Sequence, residues 1–165
     1  MNGLNAMVPA LGAKPLAPEP VQEYVTMTVG GYWFGVPVLK VQDVLSHQKV
    51  AQVPLASPIV SGSINLRGRI VTVINLHRRL GLAPSDKPGM NVVVECRGEL
   101  YSLMIDSVGE VTGLRMDHFE PLPTTMDALW RSVADGVFRL DGRLLIILDI
   151  EKLLESDAFE SARKP

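Results

Sequence analysis

Three histidines, one cysteine and eighteen carboxylates are the side chains here that could bind a metal or move a proton. His47, His77 and His118 lie in three different segments, and none has a Cys, His or Asp partner at metal-ligand spacing. They read as surface or loop histidines, and neither a metal site nor a cofactor is expected. Cys96 falls on an inward position of an apolar alternation and reads as a buried thiol, not a nucleophile. Asp43, Asp106, Glu110 and Asp149 stand beside apolar strand residues, where acids are more often turn formers or strand-end charges than proton donors. The chain has no G-x-S-x-G, no P-loop and no G-x-G-x-x-G. No catalytic residue is expected, and the chain does not read as an enzyme.

The one local charge signal is basic. Arg67, Arg69, Arg78 and Arg79 crowd into "NLRGRIVTVINLHRRL". Such a cluster suits either a polyanion or a protein surface. Nucleic acid usually needs aromatic rings interleaved on the same face, whereas Tyr32, Trp33 and Phe34 stand in another segment. The formal net charge of -2 gives no whole-molecule attraction to a polyanion. A small-barrel nucleic-acid binder using this loop is the alternative reading, and a protein-facing surface the main one.

The elements that would hold these residues are mostly strands. Val25, Met27 and Val29 alternate with polar residues, Gly30-Gly31 makes a turn, and "YWFGVPVL" resumes a strand in which Pro37 suggests an edge or a bulge. "GSINLRG" and "RIVTVINL" predict two strands meeting at Arg67-Gly68. Ile70, Val71, Val73 and Ile74 predict burial on both faces of the second. "APSDKPG" at 83–89 breaks the pattern. "MNVVVEC" and "ELYSLMIDSVGEV" then predict a second hairpin around Arg97-Gly98. Ser57-Pro58 marks a loop or one helical turn capped by Ser57. "TTMDALWRSVADG" predicts a short helix with Thr124 placed as its capping-box residue and Gly136 as its stop. "IEKLLESDAFESARK" predicts a terminal amphipathic helix.

The chain aligns with itself. Residues 25–44 match 92–111, with Gly31 opposite Gly98, Val41 opposite Val108 and Asp43 opposite Glu110. Residues 62–80 match 136–154, with Gly62 opposite Gly136 and Gly68-Arg69 opposite Gly142-Arg143. Two copies of one unit of about five short strands follow. So few strands bury little as an open sheet, and closing each into a small barrel removes the edges. What does not repeat is Arg67, opposite Asp141. The shared turn does not require an arginine there.

The 165 residues suit one domain or two very small ones sharing a core. A single cysteine excludes an internal disulfide, no apolar run approaches a membrane span, and the first residues do not read as a signal peptide. Residues 1–20 hold four of the twelve prolines and read as a disordered tail. The expected organisation is that tail, a domain over 21–160 and a last tail at 161–165. Within the domain the approximate barrels are 21–84 and 90–155, with strands free to cross between them.

"EYVTMTVGGYWFGVPVLKVQDVL", "PIVSGSINLRGRIVTVINLHRRLGL" and "ELYSLMIDSVGEV" with "DGRLLIILDIEKLL" resemble the CheW-like chemotaxis coupling proteins. The most specific piece is Asn65-Leu66-Arg67-Gly68 within "GSINLRGRIVTVINL". The resemblance implies a mainly β fold of two SH3-like five-stranded β-barrels related by internal duplication, with a short C-terminal helix. It also implies a non-catalytic scaffold between the cytoplasmic hairpin tip of chemoreceptors and the histidine kinase CheA. Such a protein is cytoplasmic, recruited to membrane-associated receptor arrays without inserting into the membrane. It is a monomer alone and forms rings with the regulatory domain of the kinase. Carried onto this chain, the receptor groove is Val36, Val38, Val41 and Val108 with Arg67. The kinase-binding or coupling positions are Asp43, Gly62, Asn65 and Arg67. Pro37, Asn75 and His77 depart from the usual residues. No receiver domain follows, which fits a stand-alone coupler.

Overall fold

The computed structural model describes residues 20–54 and 56–155. Most of the tail expected over 1–20, and everything past Glu155, lie outside these residues. The strands are β1 (Val21–Val29), β2 (Tyr32–Pro37), β3 (Val41–Leu45), β4 (Val60–Leu66), β5 (Arg69–Asn75), β6 (Met90–Cys96), β7 (Glu99–Ile105), β8 (Ser107–Arg115), β9 (Ala134–Leu140) and β10 (Arg143–Leu148). Short helices follow as α1 (Leu76–Arg79), α2 (Ala128–Arg131) and α3 (Ile150–Leu154). A 3-10 turn at Val38–Lys40 joins β2 to β3.

Four two-residue turns make the hairpins: Gly30-Gly31, Arg67-Gly68, Arg97-Gly98 and Asp141-Gly142. Both residues of each have positive φ. This is the turn whose twist matches that of paired strands.

The strands form two five-stranded sheets, in the orders β8-β1-β2-β10-β9 and β3-β6-β7-β5-β4. The two orders are the same once each strand is replaced by its repeat counterpart. Even the irregularities recur. Val25 pairs with Val111 and Met27 with Val108 across a bulge, and Val44 pairs with Val92 and Val41 with Val94 across another. The sheets do not follow the expected bounds 21–84 and 90–155. The second sheet is the contiguous stretch β3 to β7, while the first combines β1 and β2 with β8 to β10. Each half of the chain thus lends strands to the other, through parallel pairs such as Trp33 with Leu145 and Thr72 with Tyr101.

Each sheet curls until its two outer strands are linked by one antiparallel bridge beyond the named strands. Ala51 bridges Ser63, and Glu120 bridges Val137. In the first, Ala51 N–H donates to Ser63 O at 2.9 Å and Ser63 N–H to Ala51 O at 2.8 Å. Gly62, with φ +146°, lies beside this bridge, and a Cβ there would overlap the Ala51 carbonyl oxygen. Its counterpart Gly136 lies against Phe119 and the Glu120 carbonyl. Both copies need a glycine there because two backbones approach too closely for a side chain.

Alternate residues of β10 face different apolar clusters. Leu145 and Ile147 join Tyr24 and Phe138 inside the first sheet, while Ile146 and Leu148 join the large cluster shared by both sheets. In β5, Val71 and Val73 face the inner cluster of the second sheet and Ile74 the shared one. Burial on both faces therefore holds for Val71, Val73 and Ile74, but Ile70, at the strand's start, is 70% exposed. The shared cluster also takes Leu76 and Leu80 around α1 and Ile150, Leu153 and Leu154 from α3.

Several local expectations need correction. Pro37 ends an interior strand, where the chain turns toward the second sheet, so it marks neither an edge nor a bulge. Ser57 closes a turn by accepting from Ile59 N–H at 3.3 Å and caps no helix. α2 is capped by Asp127, not Thr124, because the Asp127 carboxylate accepts from Leu129 N–H at 2.8 Å. Gly136 lies inside β9 and stops no helix.

Cys96 is buried, as the alternation implies, and burial pushes its thiol pKa up. A thiolate is the reacting form. Iodoacetamide at pH 8 is therefore expected to label the native protein at least roughly a hundredfold more slowly than the denatured chain. Equal rates, followed by mass spectrometry, would show that this strand opens freely.

Candidate functional site

The local chemistry of the Arg67 turn starts with its φ of 52°. Left-handed backbone costs a residue with a side chain about 1 kcal/mol. Asn, Asp and Gly tolerate it best, and Gly30 and Asp141 obey that preference at the equivalent position. Arg67 and Arg97 do not. Arg97 pairs with Glu155. Arg67 reaches Asp43 on β3, with Nη2 2.9 Å from Oδ2. The other Asp43 oxygen accepts from Val44 N–H at 2.9 Å, which fixes the carboxylate. The Arg67 side chain is 76% exposed and that of Asp43 only 23%. The arrangement is a positioned carboxylate presenting a solvent-facing guanidinium.

Asn65 is exposed and its Oδ1 accepts from Gly68 N–H at 2.9 Å. Its side chain holds the turn that displays Arg67. Gly62 is buried at the closing bridge and offers no surface. Of the four positions expected to take part in coupling, Asp43 and Arg67 thus meet each other, Asn65 shapes the turn, and Gly62 lies at the closing bridge.

The positions expected in the groove divide similarly. Val36 is fully buried in the shared core, so it is corrected from a groove contact to a packing residue. Val38 is half-buried on the 3-10 turn and belongs to no core cluster. Val41 and Val108 are half-buried and rest on the edge of the shared core. Each follows one of the two crossings between sheets.

Two residues on this surface were missed. Leu39, between Val38 and Lys40, is 90% exposed, and Ile70 follows the Arg67 turn. A signal for Leu39 existed: its repeat counterpart is Asp106, a polar residue at the other crossing. Arg67 and Asp43 meet at the surface, whereas Val41, across the β3 bulge from Asp43, rests on the shared core.

The basic cluster does not hold together as one surface. Arg79 is buried, with Nε donating to Leu153 O at 2.9 Å and Nη2 to Lys152 O at 3.5 Å. It ties α1 to the last turn of α3, where a cation is favoured, and burial lowers its pKa. Arg78 Nη1 donates to Pro58 O at 3.0 Å. His77 also departs from expectation, being buried on α1. Its Nε2 lies 2.9 Å from Asp106 Oδ1, but off the line of a hydrogen bond. The other Asp106 oxygen accepts from Gly30 N–H at 2.7 Å, so this acid touches both sheets. His47 and His118 are exposed. Among the described residues no group of three or more His, Cys, Asp and Glu could hold a metal ion.

Residues 23–158 match the CheW-like domain. The chemotaxis protein CheW of Klebsiella aerogenes is 30% identical over 145 residues, covering 86% of this chain and 87% of that one. A probable chemotaxis protein CheW of Rhizobium etli is 25% identical over 143 residues, covering 86% and 92%. The crystal structure of the scaffolding protein TtCheW from Thermoanaerobacter tengcongensis matches with a TM-score of 0.75 at 27% identity. That match covers 83% of this chain and 94% of TtCheW. The two five-stranded sheets agree with the structural match, and the chain belongs to the CheW-like family of chemotaxis scaffold proteins.

Proposed function

We propose that this chain is a non-catalytic adaptor that couples the cytoplasmic tips of chemoreceptors to the regulatory domain of the kinase CheA. The observation that carries the reading is the Arg67–Asp43 pair. An arginine occupies a left-handed turn position against local preference, and a carboxylate fixed by Val44 N–H holds it at the solvent-facing surface. A residue kept against the preference of its own turn is a candidate for a role outside that turn. The apolar residues nearby supply the second part. Val38, Val41 and Val108 sit at the crossings between sheets, and Leu39 stands fully out beside them. An amphipathic helix laid in an apolar groove is a familiar recognition mode, and a receptor tip is helical.

In this reading the adaptor reaches the membrane only through its partners. No helix of the described residues is long and apolar enough to cross a membrane. The nucleic-acid alternative loses its main support, since Arg79 is buried and Arg78 is turned onto Pro58.

Co-sedimentation with a receptor-tip fragment and a CheA regulatory domain tests the proposal. The chain is expected in the pellet when both partners are present, and a chain left in the supernatant with both partners in the pellet would sink the proposal. Val38→Glu is expected to weaken receptor-tip binding at least roughly tenfold, with little change in thermal stability, because Val38 packs in no core cluster. Unchanged binding by that variant would remove the crossing from the receptor surface. Val41→Glu is expected to lose stability as well, since Val41 rests on the shared core.

A further inference from the structure

The two halves differ most in one connection. The first three strands repeat at an offset of 67 and the next two at 74. The extra seven residues fall between β8 and β9, and this longer connection walls a cavity of about 630 Å³ on the first sheet. The cavity is lined by Tyr32, Trp33, Met126, Trp130 and Arg143 among others. Both tryptophans of the chain are there. The duplication does not account for them. The counterparts of Tyr32 and Trp33 are Glu99 and Leu100, and Met126 and Trp130 stand in the lengthened connection.

The aromatic wall is fixed in place. Trp130 Nε1–H donates to Leu80 O at 2.7 Å. Its ring meets Tyr32 edge-on at 4.7 Å between centroids and Phe34 at 5.5 Å. Tyr32 is nevertheless 49% exposed. On the opposite side Arg143 lies over the Trp33 face, with Cζ 4.7 Å from the ring centroid. Stacked this way, a guanidinium keeps its edge free to donate two parallel hydrogen bonds. Among the described residues no carboxylate lies within ion-pair distance of Arg143, while Asp127 is engaged in capping α2. The cavity thus combines flat apolar walls, a thioether and one uncompensated planar cation, in a volume typical of small-molecule sites.

We propose that this cavity binds a planar aromatic carboxylate, its ring against Trp130, Tyr32 and Met126 and its carboxylate on Arg143. Such a ligand would be a small-molecule input to the scaffold, independent of the Arg67 surface. Charge complementarity selects the class: a neutral ring leaves Arg143 unused, and a cationic one opposes it.

The full-length protein offers a direct readout, because its only two indole N–H signals in a nitrogen–proton correlation spectrum both report on the cavity. Titration with 2-naphthoate is expected to shift both signals saturably. Arg143→Gln is expected to weaken that binding roughly tenfold, while Arg69→Gln, at the repeat counterpart outside the cavity, leaves it unchanged. Naphthalene-2-carboxamide is expected to bind the unaltered protein roughly tenfold more weakly than 2-naphthoate and to be indifferent to Arg143→Gln. No saturable shift, equal binding of acid and amide, or an unaffected Arg143→Gln variant would each overturn the proposal. A saturable response of the same signals to the kinase regulatory domain, without any response to 2-naphthoate, would assign the cavity to a protein partner and overturn it as well.

Discussion

Arg67→Glu is expected to abolish receptor-dependent activation of the kinase while changing the stability of the fold by less than about 0.5 kcal/mol. The two halves of this result have separate causes. The ion pair with Asp43 is largely exposed on the arginine side, and pairs of that kind contribute little to folding. The turn strain is the same for Glu as for Arg, since both carry a side chain at positive φ. The surface, however, changes sign: a solvent-facing guanidinium becomes a carboxylate beside the fixed carboxylate of Asp43. A partner that reads the guanidinium then meets two like charges, an arrangement costing several kcal/mol at an interface. Phosphotransfer rates in reconstituted receptor–adaptor–kinase assemblies, compared with urea unfolding of the variant alone, check both halves. Normal activation would remove Arg67 from the coupling surface.

Gly62→Ala is expected to show the opposite profile, losing about 3 kcal/mol or more of stability. Two penalties add. The backbone is in a region that L-residues avoid, and the new methyl would strike the Ala51 carbonyl, which accepts one of the two hydrogen bonds of the closing bridge. Backbone cannot move aside as a side-chain tip can. Gly68→Ala provides the control. Gly68 also has positive φ, but a methyl there would meet nothing within 4 Å, so the loss is expected to be about 1 kcal/mol. Equal losses in a guanidinium titration would mean that closure contributes little. A Gly62 variant that fails to couple would do so because its barrel opens, whereas an Arg67 variant fails with its barrel intact.

The duplication was legible because glycine and apolar positions recur at fixed offsets, and the alternation of polar and apolar residues identified the strands. The strand exchange was not. Alternation says which face of β2 is buried, but not whether β2 pairs with a strand of its own half or of the other, because both halves carry the same register. At the site, Arg67 stood out because its counterpart is Asp141, and Asp43 only because it matches a coupling position of the family that the chain resembles. Their contact spans two strands that are distant in the chain, so nothing in either segment announced it. His77 and Arg79 read as surface residues because they are polar. Their burial depends on the packing around α1, including α3 for Arg79, which no local pattern encodes. Val36 and Val41 looked alike as alternating valines. Only the 3-10 turn between them separates a fully buried position from a half-buried one.

The exchanged strands also set an order of assembly during synthesis. The second sheet is one uninterrupted run from β3 to β7 and can close as soon as that run has left the ribosome. The first sheet cannot. β1 and β2 emerge first, yet β2 pairs with β10, the last strand to be made. Until then one edge of β2 and the Tyr24 side of β1 lack their partners, although Met27, Val29, Phe34 and Val36 can already pack against β6 and β7, and such late, distant pairings fold slowly. The nascent chain therefore completes its barrels in reverse order of their first residues, and its opening hairpin is the segment that most needs protection while it waits.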